Sequence, residues 1–329
     1  MGNFQPTIDY VSVKTNGVDF FEQILKFLSA PMELPTLYGW YHLLCFVVTI
    51  GLCVLVCFKA RKLTDKQFNM ILGLSGVLLL LLELYKQLQY SYDYVSDTWS
   101  YQWYAFPFQF CATPMYLLVL ASLLKNGKVK ESLCSYLATY ALFAGTAVMF
   151  YPGDVFIRVI GINIQTMVHH GGMVVIGVFM YVSGRVKLSH KTVLKALPTF
   201  CACLGLAMVM NILYAQFGDP NQAFNMFFVS PYYPCTLPVL SSIYGKVPYP
   251  IFLAIYIFGF TVCAYVMCLL AMGVKHLSAF LAERKIFALA VTSENGNLLK
   301  KIAPNTKPIK PVNSAVKNDT STPSDKEEK

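Results

Sequence analysis

The sequence predicts an all-α polytopic bundle of about seven transmembrane helices, with the N-terminus outside and the C-terminus in the cytoplasm. Of the 329 residues, 56% are hydrophobic and only 13% are charged, whereas soluble domains carry about 25% charged residues. A helix needs about 20 apolar residues to cross a bilayer core, and it satisfies its backbone hydrogen bonds internally in lipid. Seven apolar runs are of about this length: 37–58, 69–89, 104–124, 133–151, 155–183, 193–216 and 249–272.

The orientation follows from the basic residues, which alternate between loops. Loops 59–68, 125–132 and 184–195 hold four, three and four Lys or Arg residues, whereas the three intervening loops hold only Lys246. Basic loops stay on the cytoplasmic side of a membrane. The net charge of +9 is therefore read as a topology signal in a multi-pass protein of the cell membrane, and no nucleic-acid partner is expected.

Composition divides the chain into four parts. Residues 1–36 form an extracytoplasmic segment, 37–272 the seven-helix domain, 273–302 a juxtamembrane cytoplasmic helix and linker, and 303–329 a polar tail predicted to be disordered. The first part contains an amphipathic helix that lies on the membrane surface or packs on the protein. Its apolar positions, which recur at helical spacing, are Phe20, Phe21, Ile24, Leu25 and Leu28.

Polar residues at membrane depth are the candidate site, because a polar or ionisable group within a span is costly and marks function by default. They are Glu83 and Lys86 in the second run, Gln109 and Cys111 in the third, Arg158, Asn163, Gln165, His169 and His170 in the fifth, and Asn211 in the sixth. The predicted topology places all of them between the outer surface and the midplane. We therefore expect one polar cavity that opens outward or into the outer leaflet.

The residue types allow nucleophilic catalysis. A cysteine thiolate is a nucleophile, and a nearby histidine can take its proton. Cys111 is the candidate nucleophile, and His169 or His170 is the candidate base. Because adjacent helical residues point about 100° apart, we expect one imidazole to face the cavity, and we choose His170.

Neutral amides complete this hypothetical site. Gln109 or Asn211 would stabilise an oxyanion, and Asn163, Gln165 or Asn211 would orient the imidazole. The charged residues Glu83, Lys86 and Arg158 would hold a lipid headgroup or brace the helices. Acyl transfer or ester hydrolysis on a membrane phospholipid suits such a cavity.

Other interpretations of the same residues remain open. A cysteine in a span commonly packs as a small apolar residue, and buried polar groups also serve transporters, where they relay protons or bind solute. The two histidines are adjacent and share their helix with no carboxylate at ligand spacing, so no metal site and no cofactor are expected. The sequence does not indicate an oligomeric state.

Short motifs in a fixed order along residues 37–272 carry a family resemblance. They are Glu83-Leu84-Tyr85-Lys86-Gln87, Pro107-Phe108-Gln109-Phe110-Cys111, Tyr151-Pro152 leading to His169-His170-Gly171, and Asn211-Ile212-Leu213-Tyr214 before a proline-rich loop. The chain resembles the YwaF-type bacterial integral membrane proteins, whose eukaryotic relative is a transmembrane phospholipid acyltransferase. The resemblance implies a multi-span helical fold, a cysteine that carries the acyl group, and a histidine that assists it. Cys111 and one of His169 and His170 occupy the matching motifs.

Overall fold

The structure, a computed structural model, describes residues 20–153 and 155–292, with side chains from residue 22 to residue 283. The described residues up to 274 belong to one compact unit, and those from 275 to 292 belong to a second. The tail predicted to be disordered, residues 303–329, lies outside the described residues. Residues 1–19 of the predicted extracytoplasmic segment also lie outside them.

The first unit is an all-α bundle, which confirms the predicted fold class. In the described part of the chain, six helices are long and apolar enough to cross a membrane, and a seventh apolar helix is shorter. Five of the long helices are single elements: α2 (Trp40–Lys59), α3 (Asp65–Ser91), α7 (Ile160–Val182), α8 (Lys191–Phe217) and α9 (Tyr249–Thr292). The sixth is continuous over α5 (Lys128–Tyr136), a π-helical turn (Leu137–Ala141) and α6 (Leu142–Phe150). The short helix, α4, spans Thr113–Leu123.

The third apolar run differs from its prediction. We expected a helix over 104–124, but α4 begins only at Thr113, after a 3-10 turn at Trp103–Ala105 and an irregular stretch. Pro107 disfavours helical geometry at the preceding residue and offers no backbone N–H. Backbone bonds inside the stretch compensate: the Ala112 amide donates to the Gln109 carbonyl over 2.8 Å. Non-helical backbone at membrane depth is tolerated where protein covers it.

Two glycines let helices approach α7 closely. A Cβ atom on Gly145 of α6 would lie 2.6 Å from the His170 carbonyl oxygen. One on Gly171 would lie 2.6 Å from Thr49 Oγ1 of α2. Small residues serve such approaches in membrane bundles, so α7 is held tightly between α2 and α6.

The predicted amphipathic helix is present as α1 (Phe20–Leu28), and it packs on the protein. Leu25 is 2% exposed and clusters with Tyr92 and Tyr94. Gln89 Nε2, at the end of α3, donates to the Leu25 carbonyl over 3.0 Å. The two tyrosines belong to a small hairpin in which β1 (Tyr92–Asp93) pairs with β2 (Thr98–Trp99). Phe27, on the opposite face of α1, is 81% exposed.

Candidate functional site

A buried polar cluster joins α3 to α7; its side chains are Glu83, Lys86, Gln87, Gln165 and His169. Glu83 is only 3% exposed, and its Oε1 atom lies 2.6 Å from Lys86 Nζ. The spacing of three residues places both on one face of α3, as the sequence predicts. A buried carboxylate without a partner is strongly unfavourable, so this ion pair offsets part of the cost of burying Glu83.

Gln87 extends the ion pair toward the segment before α4. Its Nε2 donates to Glu83 Oε1 over 2.8 Å and to the Ala105 carbonyl over 2.7 Å. The Tyr101 hydroxyl donates to Gln87 Oε1 over 2.9 Å. Gln87 is not among the site residues that the sequence predicts, although its i, i+4 spacing from Glu83 is the signal that points to it.

Two members of the cluster, Gln165 and His169, belong to α7. Gln165 Nε2 lies 3.5 Å from Glu83 Oε2, which is a long hydrogen bond. His169 Nε2 lies 2.9 Å from the backbone carbonyl oxygen of Cys111. Because a carbonyl only accepts, Nε2 carries the ring proton, and neutral His169 then has its lone pair on Nδ1. That Nδ1 atom is buried and makes no hydrogen bond.

Cys111 reaches this cluster through its backbone. It lies in the irregular stretch before α4 and not within a helix, and its side chain is half-buried. Neither His169 nor His170 makes a hydrogen bond with its thiol, since each ring has one nitrogen on a backbone carbonyl and one without a partner. The Cys–His pair therefore stays a prediction.

His170 has a similar arrangement on a different face of α7. Its Nδ1 lies 2.8 Å from the Thr166 carbonyl of the same helix, and its Nε2 is buried without a partner. The two imidazole centroids are 5.4 Å apart. This turn of α7 thus carries two ring nitrogens without a hydrogen bond, His169 Nδ1 and His170 Nε2. The other nitrogen of each ring donates to a backbone carbonyl.

Gln109 and Asn211 hold a loop instead of facing the histidines. Asn211 Nδ2 donates to the Met226 carbonyl over 3.0 Å, and the Met226 amide donates to Asn211 Oδ1 over 2.8 Å. Gln109 pairs in the same way with the Asn225 carbonyl and the Phe227 amide, over 3.0 and 2.9 Å. Both amides thus use a donor and an acceptor on loop backbone. Oxyanion stabilisation by either one stays a prediction.

Asn163 and Arg158 also lie apart from the polar cluster. Asn163 donates to the Ile157 carbonyl over 2.6 Å and accepts from the Ile157 amide over 2.9 Å, which fixes the entry to α7. Arg158 is exposed, and its carbonyl accepts from the Met32 amide. The polar residues that the sequence assigns to one cavity therefore lie in separate places. Glu83 and its partners form one cluster, Gln109 and Asn211 hold the loop at 225–227, and Asn163 holds the backbone of Ile157.

An apolar cavity of about 970 Å³ lies between α2, α3 and α7. Its walls include Leu44 and Val48 of α2, Leu78 of α3, and Ile164 and Val168 of α7. His169 follows Val168 directly, so its side chain points about 100° away from this wall. The cavity and the polar cluster thus use neighbouring faces of the same helix.

The fold and the site define a multi-pass α-helical membrane protein with a buried polar cluster. Within the residues that the structure describes, no group of three His, Cys, Asp or Glu side chains is arranged to hold a metal ion. The chain belongs to the TMEM164 family, whose sequence profile matches residues 36–272. No curated protein and no solved structure matches the chain.

Proposed function

We propose that this protein is an acyltransferase or acyl hydrolase acting on phospholipids in the cell membrane, with Cys111 as nucleophile and His169 as base. The observation that carries the proposal is the contact between His169 Nε2 and the Cys111 carbonyl. It places the ring next to the residue that bears the thiol, with the proton on Nε2 and with Nδ1 unprotonated. This contact supports His169 over His170, whose ring is bonded within its own helix.

The proposed reaction has two balanced steps. His169 Nδ1 takes the thiol proton, the sulfur of Cys111 bonds to the acyl carbon of a phospholipid, and the ester C–O bond breaks. The leaving glycerol oxygen receives the proton from His169, and a thioester remains. A lysophospholipid hydroxyl then attacks the thioester while His169 takes its proton, and the returning thiolate is protonated. With water in place of that hydroxyl, the product is a free fatty acid.

The charged pair positions the segment before Cys111. Gln87 donates to Glu83 of the pair and to the Ala105 carbonyl, which ties this segment to α3. The thiol must approach His169 Nδ1 for the first step. Catalytic hydrogen bonds are often loose without substrate and tighten when it binds, so the proposal requires a rearrangement of the stretch before α4.

The packing next to the site favours an enzyme over a transporter. Tyr136, Tyr140 and Phe200 are fully buried and stack in sequence, with ring centroids 5.5 and 4.5 Å apart. Phe110, one residue before Cys111, packs edge-on against Phe200. Transport of solute past this level would require the stack to open, whereas acyl transfer from the membrane would leave it closed.

The direct test is a search for the thioester. The purified protein in phospholipid nanodiscs would be incubated with a phospholipid carrying a labelled acyl chain, with and without a lysophospholipid acceptor. We expect a hydroxylamine-sensitive acyl group on the peptide containing Cys111, and transfer of label to the acceptor. Cys111→Ala abolishes both, whereas Cys53→Ala, which alters another half-buried cysteine, leaves them unchanged. Full transfer by Cys111→Ala would exclude the mechanism.

A further inference from the structure

The proposed Cys111 chemistry does not use the apolar cavity between α2, α3 and α7. Its volume of about 970 Å³ is at the upper end of the range of about 300–1,000 Å³ that is usual for ligand pockets. The three helices are candidate membrane spans, so the walls lie at the depth of lipid acyl chains. The wall residues Leu44, Val48 and Leu78 are 52%, 51% and 52% exposed, so the cavity is open on its lipid-facing side and an apolar chain can enter it from the bilayer. Water in such an apolar cavity lacks hydrogen-bond partners.

The two ends of the cavity differ in polarity. The end where α2 begins is lined by residues 32–36, and Glu33 is the one charged side chain among the described residues of the lining. Trp40, which is 74% exposed, stands at the same end. An indole ring suits the membrane interface, and both a carboxylate and an aromatic face attract a positively charged group.

The geometry points to a binding site for a membrane phospholipid: one acyl chain lies in this cavity and an ammonium headgroup lies near Glu33. Choline and ethanolamine headgroups share this chemistry. The site goes beyond the proposed transfer reaction, because it needs neither Cys111 nor His169. It binds a lipid against the face of α7 next to the one that carries His169.

The test is photo-crosslinking in nanodiscs with three phospholipids that carry the same diazirine-bearing acyl chain and differ in headgroup: choline, ethanolamine or glycerol. We expect label on α2, α3 and α7 peptides that line the cavity, competed by excess unlabelled lipid. The choline or the ethanolamine lipid labels more than the glycerol lipid, and their ratio identifies the preferred headgroup. Glu33→Gln removes the preference over glycerol.

Adjacent leucines provide a matched control. Leu43 and Leu44 are 50% and 52% exposed on α2, but only Leu44 lines the cavity. We expect Leu44→Trp to lower the labelling about tenfold, the factor that corresponds to about 1.4 kcal/mol of binding free energy. Leu43→Trp leaves the labelling unchanged. Equal labelling in the two variants would overturn the assignment, as would label spread evenly over all lipid-facing helices.

A second variant guards against misfolding of Leu44→Trp. A Cβ atom on Gly172 of α7 meets nothing closer than Leu79 Cδ2 at 3.8 Å, so Gly172→Leu enters the cavity without a backbone clash. Its control is Gly51→Leu, at a position where a Cβ atom meets no neighbour within 4 Å and which lies outside the lining. Labelling is also measured in Cys111→Ala, which keeps the cavity walls. Retained labelling without acyl transfer would separate this site from the proposed reaction.

Discussion

His169 and Cys111 are joined by a side chain to backbone contact, with 2.9 Å between the Nε2 atom and the carbonyl oxygen. The contact couples α7 to the stretch before α4, and it sets the ring tautomer. A base held in this way needs no further partner to leave Nδ1 unprotonated. The same contact gives the ring of His169, which is only 3% exposed, its one hydrogen-bond partner.

If His169 is the base, His169→Gln will separate its two roles. A glutamine amide can still donate to the Cys111 carbonyl, but it cannot take a proton. We expect the rate of acyl transfer to fall by about 10²–10⁴-fold, the usual contribution of a general base, with little change in thermal stability. The measurement is initial transfer rate in nanodiscs alongside the midpoint of thermal unfolding.

The control for this prediction is His170→Gln, which alters the neighbouring ring bonded to Thr166. We expect a smaller loss of rate than in His169→Gln. A larger loss in His170→Gln would reverse the assignment of the base and restore the choice made from the sequence alone.

The buried ion pair predicts an asymmetric effect on stability. Glu83→Ala leaves Lys86 without its counter-ion, and breaking a pair of this kind costs about 3 kcal/mol. The side chains of the pair are 5% and 21% exposed, so solvent screens it little. The measurement is the free energy of unfolding in detergent with increasing denaturant.

Glu131→Ala is the matched control, because Glu131 pairs with Lys195 at 48% and 44% exposure. Exposed pairs contribute at most about 1 kcal/mol. The double variant Glu83→Gln, Lys86→Met should recover part of the loss by removing both charges. Equal losses in Glu83→Ala and Glu131→Ala would contradict the burial argument.

The sequence is sufficient where a feature depends on local periodicity. The hydropathy runs predict the long spans because lipid leaves a helix few alternatives, and the spacing of Glu83 and Lys86 predicts their pairing. The prediction for the third run is wrong in its first half, because the run is apolar throughout and hydropathy does not register the effect of Pro107 on the backbone. Hydropathy measures transfer into lipid, whereas the backbone there follows the steric limits of the residue before a proline.

The site is less predictable because its contacts are distant in sequence. Gln109 looks like a free amide at membrane depth, but its partners Asn225 and Phe227 come from a loop more than 110 residues further on. The apolar cavity is equally invisible, since it arises from how three helices pack. Residue types alone cannot distinguish an amide that holds backbone from one that faces substrate.

The loop held by Asn211 provides a third prediction. Asn211→Ala leaves the Met226 amide without its partner, at a cost of about 1–3 kcal/mol, and the Met226 carbonyl keeps only the bond from the Val229 amide at 3.4 Å. The adjacent Phe227 has a left-handed backbone, with φ of 58°, which is strained for an aromatic residue. We therefore expect the loop to open locally, seen as faster hydrogen–deuterium exchange at residues 225–228.

Asn221→Ala is the control for this prediction, because Asn221 is exposed in the same connection between α8 and α9. It should leave the exchange at residues 225–228 unchanged. Unaltered exchange in Asn211→Ala would show that the remaining contacts, such as the bond from the Tyr256 hydroxyl to the Phe227 carbonyl, hold the loop without it.

The last prediction concerns the pH dependence of the contact between α1 and the hairpin. Lys26 Nζ and the Tyr92 hydroxyl donate to Asp97 Oδ1 over 2.9 and 2.8 Å. These bonds, first that from Lys26, hold the pKa of the Asp97 carboxyl below its ordinary value of 3.8. A lowered pKa in the folded state means that the ionised carboxyl stabilises the contact above pH 3.8. That stabilisation is lost as the pH falls through the folded-state pKa.

Trp99 in β2 can report this loss, because its ring lies 5.0 Å from that of Tyr92. The substitutions Trp40→Phe and Trp103→Phe leave Trp99 as the single tryptophan of the chain. Its fluorescence should stay constant from neutral pH down to about pH 3.8, the ordinary pKa of this carboxyl, and change as the pH falls further. Asp97→Asn should show the acidic spectrum already at neutral pH and little further change. Because Asp93 in the same hairpin also has a pKa lowered by its bond from Ser96, a small residual transition is expected in Asp97→Asn. A transition of equal size in both proteins would assign the effect to Asp93 and separate Asp97 from the stability of the contact.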